Sequence, residues 1–300
     1  MERMPVDGVE LEYELRGNGD PLVLIHAGVC ADFFAPLAAE PAIAERHTVL
    51  RYHRAGYGGS DRVEGRLSLA EQAGHCLELM RRLGMEHAHV AGHSSSASMA
   101  LRLALDAPEA VSSLILLEPA RPAAPSAAQS EMARSVAEPA LERYRADDPD
   151  GAVDTWMRGV CGPGYRAPLE RAIPSAFERA VADAHAFFGQ ELPAVMEWSF
   201  GREEAARLTQ PTLVVSGQRS IDVFHERCEL LARWLPNARR VEIPRVTHLL
   251  HVEDPPAVAQ ALAAFLARAQ ASRGGFLDSA SSGCRSGMPP DQTASGAGGG

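Results

Sequence analysis

Gly92-His93-Ser94-Ser95-Ser96 lies between an apolar run ending at Ala91 and a helix-forming run that starts near Ser95. A serine in that setting can be the nucleophile of a sharp strand-to-helix turn, where a small residue on each side lets the two elements close together. Gly92 meets the first requirement, and Ser96 stands where a second glycine is usual. The same residues can equally form an ordinary turn with serine as the helix N-cap. Two other segments bear on the choice. His26-Ala27-Gly28 follows the apolar run Leu22 to Ile25, and a loop there can turn a backbone N–H toward the serine. Thr247-His248 follows Arg239 to Ile243 and brings a histidine to another strand end. A serine hydroxyl is a weak nucleophile until a neutral imidazole takes its proton, and a tetrahedral oxyanion needs fixed donors. These residue types are those of acyl chemistry.

The three groups meet only if their strands run side by side. Leu22 to Ile25 and Val49 to Tyr52 read as short strands buried on both faces, and His89 to Ala91, Val111 to Leu117, Thr212 to Ser216 and Arg239 to Ile243 as further strands. Val9 to Leu15 alternates, which predicts an antiparallel edge strand. Ser68 and Glu71 form a capping box for a helix whose apolar stripe runs Leu69, Ala73, Cys76, Met80 and Leu83 until Gly84. Helices are also predicted for Ser95 to Leu105, for Val223 to Leu235 and after Asp254. Strand and helix alternate, which predicts an α/β fold with a mostly parallel central sheet flanked by helices. Parallel strands put their carboxyl ends, where open α/β sheets bind ligands, on one edge. Between residues 120 and 207 the strand pattern gives way to helical spacing punctuated by prolines, which predicts a helical cap inserted into a core of 1–119 and 208–271. Sixteen of residues 272–300 are Gly, Ser or Pro, a composition that predicts a disordered tail.

Composition excludes other classes. The chain has 300 residues, 46% hydrophobic and 23% charged, which fits a globular protein with a sizeable core. No apolar run approaches the roughly 20 residues of a membrane span, and the N-terminus lacks a signal-peptide core, so a cytoplasmic location is expected. A net charge of −10 without a basic stripe argues against nucleic acid. All 29 basic residues are arginine, which excludes lysine Schiff-base chemistry and a Gly-Lys-Ser/Thr phosphate loop. The five cysteines are odd in number, widely spaced and without a Cys-x-x-Cys pair, and read as reduced thiols rather than a metal site.

From about Val9 to Ala269 the chain resembles the α/β-hydrolase family. The resemblance is carried by Leu22-Val-Leu-Ile-His-Ala-Gly28, Tyr52-His-Arg-Ala-Gly-Tyr-Gly-Gly-Ser60, Val90-Ala-Gly-His-Ser-Ser-Ser96, Pro211-Thr-Leu-Val-Val-Ser-Gly217 and Ile243-Pro-Arg-Val-Thr-His248, and by the position of the insertion. It implies Ser94 as nucleophile, His248 as general base, and the backbone N–H groups of Gly28 and Ser95 as the oxyanion hole. Serine rather than aspartate at 94 disfavours the branches that attack through a carboxylate. The third triad member departs from the pattern, because Ser220 stands where the family usually places its acid. Glu118, at the end of a buried strand, and Asp222, in a loop before a helix, are the candidates. Glu118 is preferred for its rigid backbone. Its other reading is a solvated strand-end carboxylate, and that of Asp222 is a helix cap.

His93, Trp156, Phe187 and Trp198 are candidate substrate contacts, with plain packing as the competing reading. His26 is expected to stabilise its own loop, and His251, three residues after His248, to be a structural partner rather than a metal ligand, since no Asp/Glu/His cluster accompanies it. The resemblance thus implies a cofactor-independent serine hydrolase for a small ester, lactone or related acyl substrate. The same triad also serves carbon–carbon bond hydrolysis and peroxyacid formation, and the vacancy at Ser220 leaves open a ligand-binding protein on a hydrolase scaffold. Nothing in the sequence fixes the oligomeric state.

Overall fold

A computed structural model describes residues 1–120 and 125–282, with side chains to 270. Eight strands form one sheet in the order β1-β2-β4-β3-β5-β6-β7-β8. They are β1 (Glu2–Val6), β2 (Val9–Arg16), β3 (Asp20–Ile25), β4 (His47–Tyr52), β5 (Ala88–His93), β6 (Val111–Leu117), β7 (Thr212–Gly217) and β8 (Ala238–Ile243). From β4 to β8 across the sheet all neighbours are parallel, whereas β2 pairs antiparallel with β1 and β4. Every residue of β5, β6 and β7 is buried, which explains why none of the three carries an Asp, Glu or Arg: helices cover both faces.

The strand expected at the edge, Val9 to Leu15, is instead an inner strand. The edge is β1, which carries Pro5, a residue suited to an edge because it brings no N–H to a ladder. One face of the sheet is covered by Leu69–Arg82 and Ser95–Asp106. On Leu69–Arg82 the capping box of Ser68 and Glu71 is formed, and Gly84, at φ +73°, follows the helix in the left-handed region. The other face packs on the start of Pro255–Ser282, through Val258, Leu262 and Leu266.

Between β6 and β7 the described residues form seven α-helices and two π-helical stretches, from Ala127 to Arg207, most of whose buried apolar residues form a cluster with the loop after β3. A disordered tail is expected from residue 272. The last helix continues to Ser282, because extending a helix already nucleated adds a backbone bond for each residue fixed. Residues 283–300, the rest of that expectation, lie outside the described residues. Among the described residues no helix is long and apolar enough to cross a membrane. Cys30, Cys76, Cys161 and Cys228 are free and buried.

Candidate active site

Strand register brings the chemistry to one edge. Ile25 pairs with Gly92, His93 with Leu117, Leu117 with Val215 and Gly217 with Ile243. Loops beginning at His26, Ser94, Glu118, Gln218 and Pro244 therefore rise from a common level, around the point where β4 and β5 leave opposite sides of β3.

Ser94 has φ 52° and ψ −118°, a conformation that costs a non-glycine residue free energy. Three backbone bonds hold it there. Its N–H donates to Leu117 O at 2.9 Å, and its carbonyl accepts from the N–H groups of Ala97 at 3.2 Å and Ala120 at 2.8 Å. Gly92 is required, because a Cβ there would lie 2.4 Å from Ser96 O. Ser96 does what the missing second glycine cannot. Its hydroxyl bridges the elbow to β3, accepting from His93 N–H at 2.8 Å with Ile25 O at 2.5 Å and His93 O at 2.9 Å as acceptors.

The loop after β3 is set by His26. Burial holds its imidazole pKa well below the ordinary value, so the ring is neutral. Nε2 accepts from Arg54 N–H at 3.0 Å, which leaves the proton on Nδ1, and Nδ1–H donates to Ala27 O at 2.6 Å. In a trans peptide the next N–H points the opposite way from that carbonyl. Gly28 N–H accordingly faces the elbow, where it donates to Ser95 Oγ at 3.1 Å. Ser95 is the first residue of its helix, so its own N–H has no carbonyl one turn behind. Glycine is needed at 28, because a Cβ would lie 2.2 Å from the Phe187 ring of the inserted helices.

A buried ion pair ties those helices to the same loop. Arg54 Nη2 donates to Glu191 Oε2 at 2.6 Å, Tyr57 O–H donates to the same oxygen, and Arg54 Nε donates to His26 O at 3.1 Å.

His248 Nδ1–H donates to Glu118 Oε2 at 2.6 Å, and the other carboxylate oxygen accepts from Gly217 N–H, also at 2.6 Å. Glu118 is fully buried and sits at φ 42°, just past β6. With Nδ1 protonated, Nε2 of His248 is left as the basic nitrogen. Phe224 stacks on the imidazole with centres 3.8 Å apart and planes 10° from parallel. Thr247 N–H and O–H both donate to Glu253, at 2.6 and 2.7 Å, which fixes the loop.

Asp222 is not brought to His248. It is exposed, at the first residue of the helix Asp222–Trp234, and Ile221 rather than Asp222 holds the cap position. A helix starting at 222 carries that side chain outward with its first turn. Ser220, in the usual acid slot, is nearly buried beside Gly217.

His93 has both of the expected characters. It lines the cavity, and its Nε2–H donates to His248 O at 2.9 Å. The His251 ring packs 4.3 Å from that of His93 and lies against Phe34. Burial lowers the His93 pKa well below its ordinary value and brings that of His251 to about 3, so both rings are neutral.

These groups open into a cavity of about 520 Å³, lined by Ser94, Ser95, Gly28, His93 and His248 together with Phe33, Trp156, Met157, Val160, Phe187, Leu192 and Phe224. Trp156 and Phe187 are there, edge to face, but Trp198 is not. It stacks on Phe200 and packs against the sheet's own core. The chain turns away after the helix Leu192–Glu197, which presents Val195 and Met196 to the cavity instead. Sequence reading missed Phe224 and Arg227, both on the cavity wall. For Phe224 its place beside Val223 on a predicted helix was the available signal, and Arg227 had none.

Residues 20–255 match the family model of the alpha/beta hydrolase fold. The chain is 30% identical over 262 residues to a RutD protein of Azorhizobium caulinodans, named for carbamate hydrolysis, covering 85% of this chain and 94% of that one. It is similar in fold to a thermophilic esterase from Thermogutta terrifontis, with TM-score 0.73 at 24% identity over 90% of this chain and 99% of the other. It is likewise similar to an enol-lactonase from Burkholderia xenovorans, with TM-score 0.75 at 22% identity over 89% and 100%. With the parallel sheet and the loops at its edge, these matches establish that the chain belongs to the α/β-hydrolase-fold family and is an enzyme of that fold.

Proposed function

We propose that the protein is a serine hydrolase acting on a small ester, lactone or related acyl substrate through an acyl-enzyme. The observation that carries this reading is the 2.6 Å bond from His248 Nδ1–H to buried Glu118, which supplies an acid although Ser220 occupies the usual slot. In this reading His248 Nε2 takes the Ser94 hydroxyl proton as Oγ attacks the acyl carbon. The oxyanion is received by the N–H groups of Gly28 and Ser95, and Glu118 stabilises the imidazolium. That proton passes to the leaving group. Water then repeats the sequence to release the acid. The Ser95 hydroxyl holds Gly28 N–H in the free enzyme, so the substrate oxygen displaces it on binding.

The test is Ser94→Ala. Loss of at least about 10³-fold in kcat for an activated aryl ester, with loss of fluorophosphonate labelling and an unchanged fold, is the expected result. Turnover retained by the purified variant overturns the reading.

A further inference from the structure

Arg227 stands out on the cavity wall. Among the described residues lining the cavity it is the only one with a permanent charge, and it is 7% exposed. The rest of the lining is carbon, sulfur and neutral polar groups, so the charge acts through a medium of low dielectric where attraction to an anion is strong. Gln129, on the same wall, accepts from Arg227 Nη2 through Oε1 at 2.6 Å. That bond fixes the amide, leaving its NH₂ as a further donor group on the cavity wall. The guanidinium carbon is 5.5 Å from the centre of the Phe224 ring, and the His248 ring stacks on Phe224 at 3.8 Å. The positive group and the base therefore both lie against the Phe224 ring.

We infer that the cavity selects acyl substrates bearing a carboxylate, with Arg227 and Gln129 receiving that carboxylate while the acyl carbon lies at Ser94. The inference rests on the serine-hydrolase reading and adds the substrate class to it. One monoanion matches one guanidinium in charge, and the planar fork of arginine suits a carboxylate. A dianion would bring a second charge into an apolar cavity.

The experiment compares 4-nitrophenyl hydrogen glutarate with neutral 4-nitrophenyl butyrate on the full chain. Wild type is expected to prefer the hemiester by at least about tenfold in kcat/KM. Arg227→Gln should lower the hemiester-to-butyrate ratio by about 100-fold, the scale of removing one partner of a desolvated charge pair, and Arg227→Lys should restore part of it. A ratio unchanged in Arg227→Gln overturns the inference. Glutarate monoamide, a monoanion, should raise the melting temperature of wild type but not of folded Arg227→Gln, whether or not either ester is turned over. That measurement separates failure of the anion site from failure of the serine-hydrolase reading. Equal stabilisation of both proteins by glutarate monoamide also overturns the inference, and circular dichroism checks that the variants fold.

Discussion

His26 donates through Nδ1 to the carbonyl of Ala27 at 2.6 Å, and the peptide carrying that carbonyl also carries the N–H of Gly28. One hydrogen bond thereby aims a candidate oxyanion donor. The aim depends on the neutral tautomer, which burial and the Arg54 N–H at Nε2 both favour. Replacing His26 by Phe should free the Ala27–Gly28 peptide to rotate. The expected result is a loss of about 10- to 100-fold in kcat for a neutral aryl ester with KM changed by less than about twofold, below the largest losses seen when an oxyanion donor is removed outright. A lower melting temperature with unchanged kcat would reduce His26 to loop packing.

Glu118 reaches His248 from β6, across the end of β7, with its second oxygen on Gly217 N–H. Glu118→Gln should cost about 10²-fold or more in kcat, because an amide no longer selects the histidine tautomer that keeps Nε2 basic. Asp222→Asn should stay near wild type, since Asp222 is exposed at the outside of its helix. The assignment fails if the two variants show the reverse order under the same ester assay, with each fold checked by circular dichroism.

Much of this arrangement was legible before any coordinates. The apolar runs of β3, β5, β6 and β7 stand out because strands covered on both faces leave no polar alternation, and the loops after them name the residues at the sheet edge. The preference for Glu118 followed from the same logic of a rigid strand end. What stayed hidden depends on distant contacts. Trp198 and Trp156 look alike in sequence as aromatics within a helical segment, and only the turn after Glu197 sends one to Phe200 and leaves the other at Phe187. Pro5 suppresses the strand signal of β1, although pairing with β2 from Glu2 to Val6 makes it a strand. Arg227 reads as an ordinary surface arginine on an amphipathic helix, since nothing local reveals that the inserted helices cover it.

The last expectation concerns acid. His251 is fully buried among Phe33, Phe34 and His93, neither of its ring nitrogens has a hydrogen-bond partner among the described residues, and its pKa falls from 6.5 to about 3. His26 and His93 are shifted in the same direction by burial. Above about pH 6.5 these rings are neutral in both the folded and the unfolded chain, so they impose no penalty. As the pH falls below that value the unfolded chain takes up protons that the folded chain refuses, and stability drains away until the folded pKa is reached. The protein should therefore lose stability steeply between about pH 6 and pH 4.5. His251→Leu removes one of those protons, and with it two buried polar atoms. In urea titrations across that range the slope of unfolding free energy against pH should shrink by about 1.4 kcal/mol per pH unit, one proton's worth. At pH 7 the variant should be at least as stable as wild type, because leucine leaves no polar group unsatisfied in that pocket. An acid slope identical to wild type would mean that water reaches His251 in the folded protein and that its ring titrates normally.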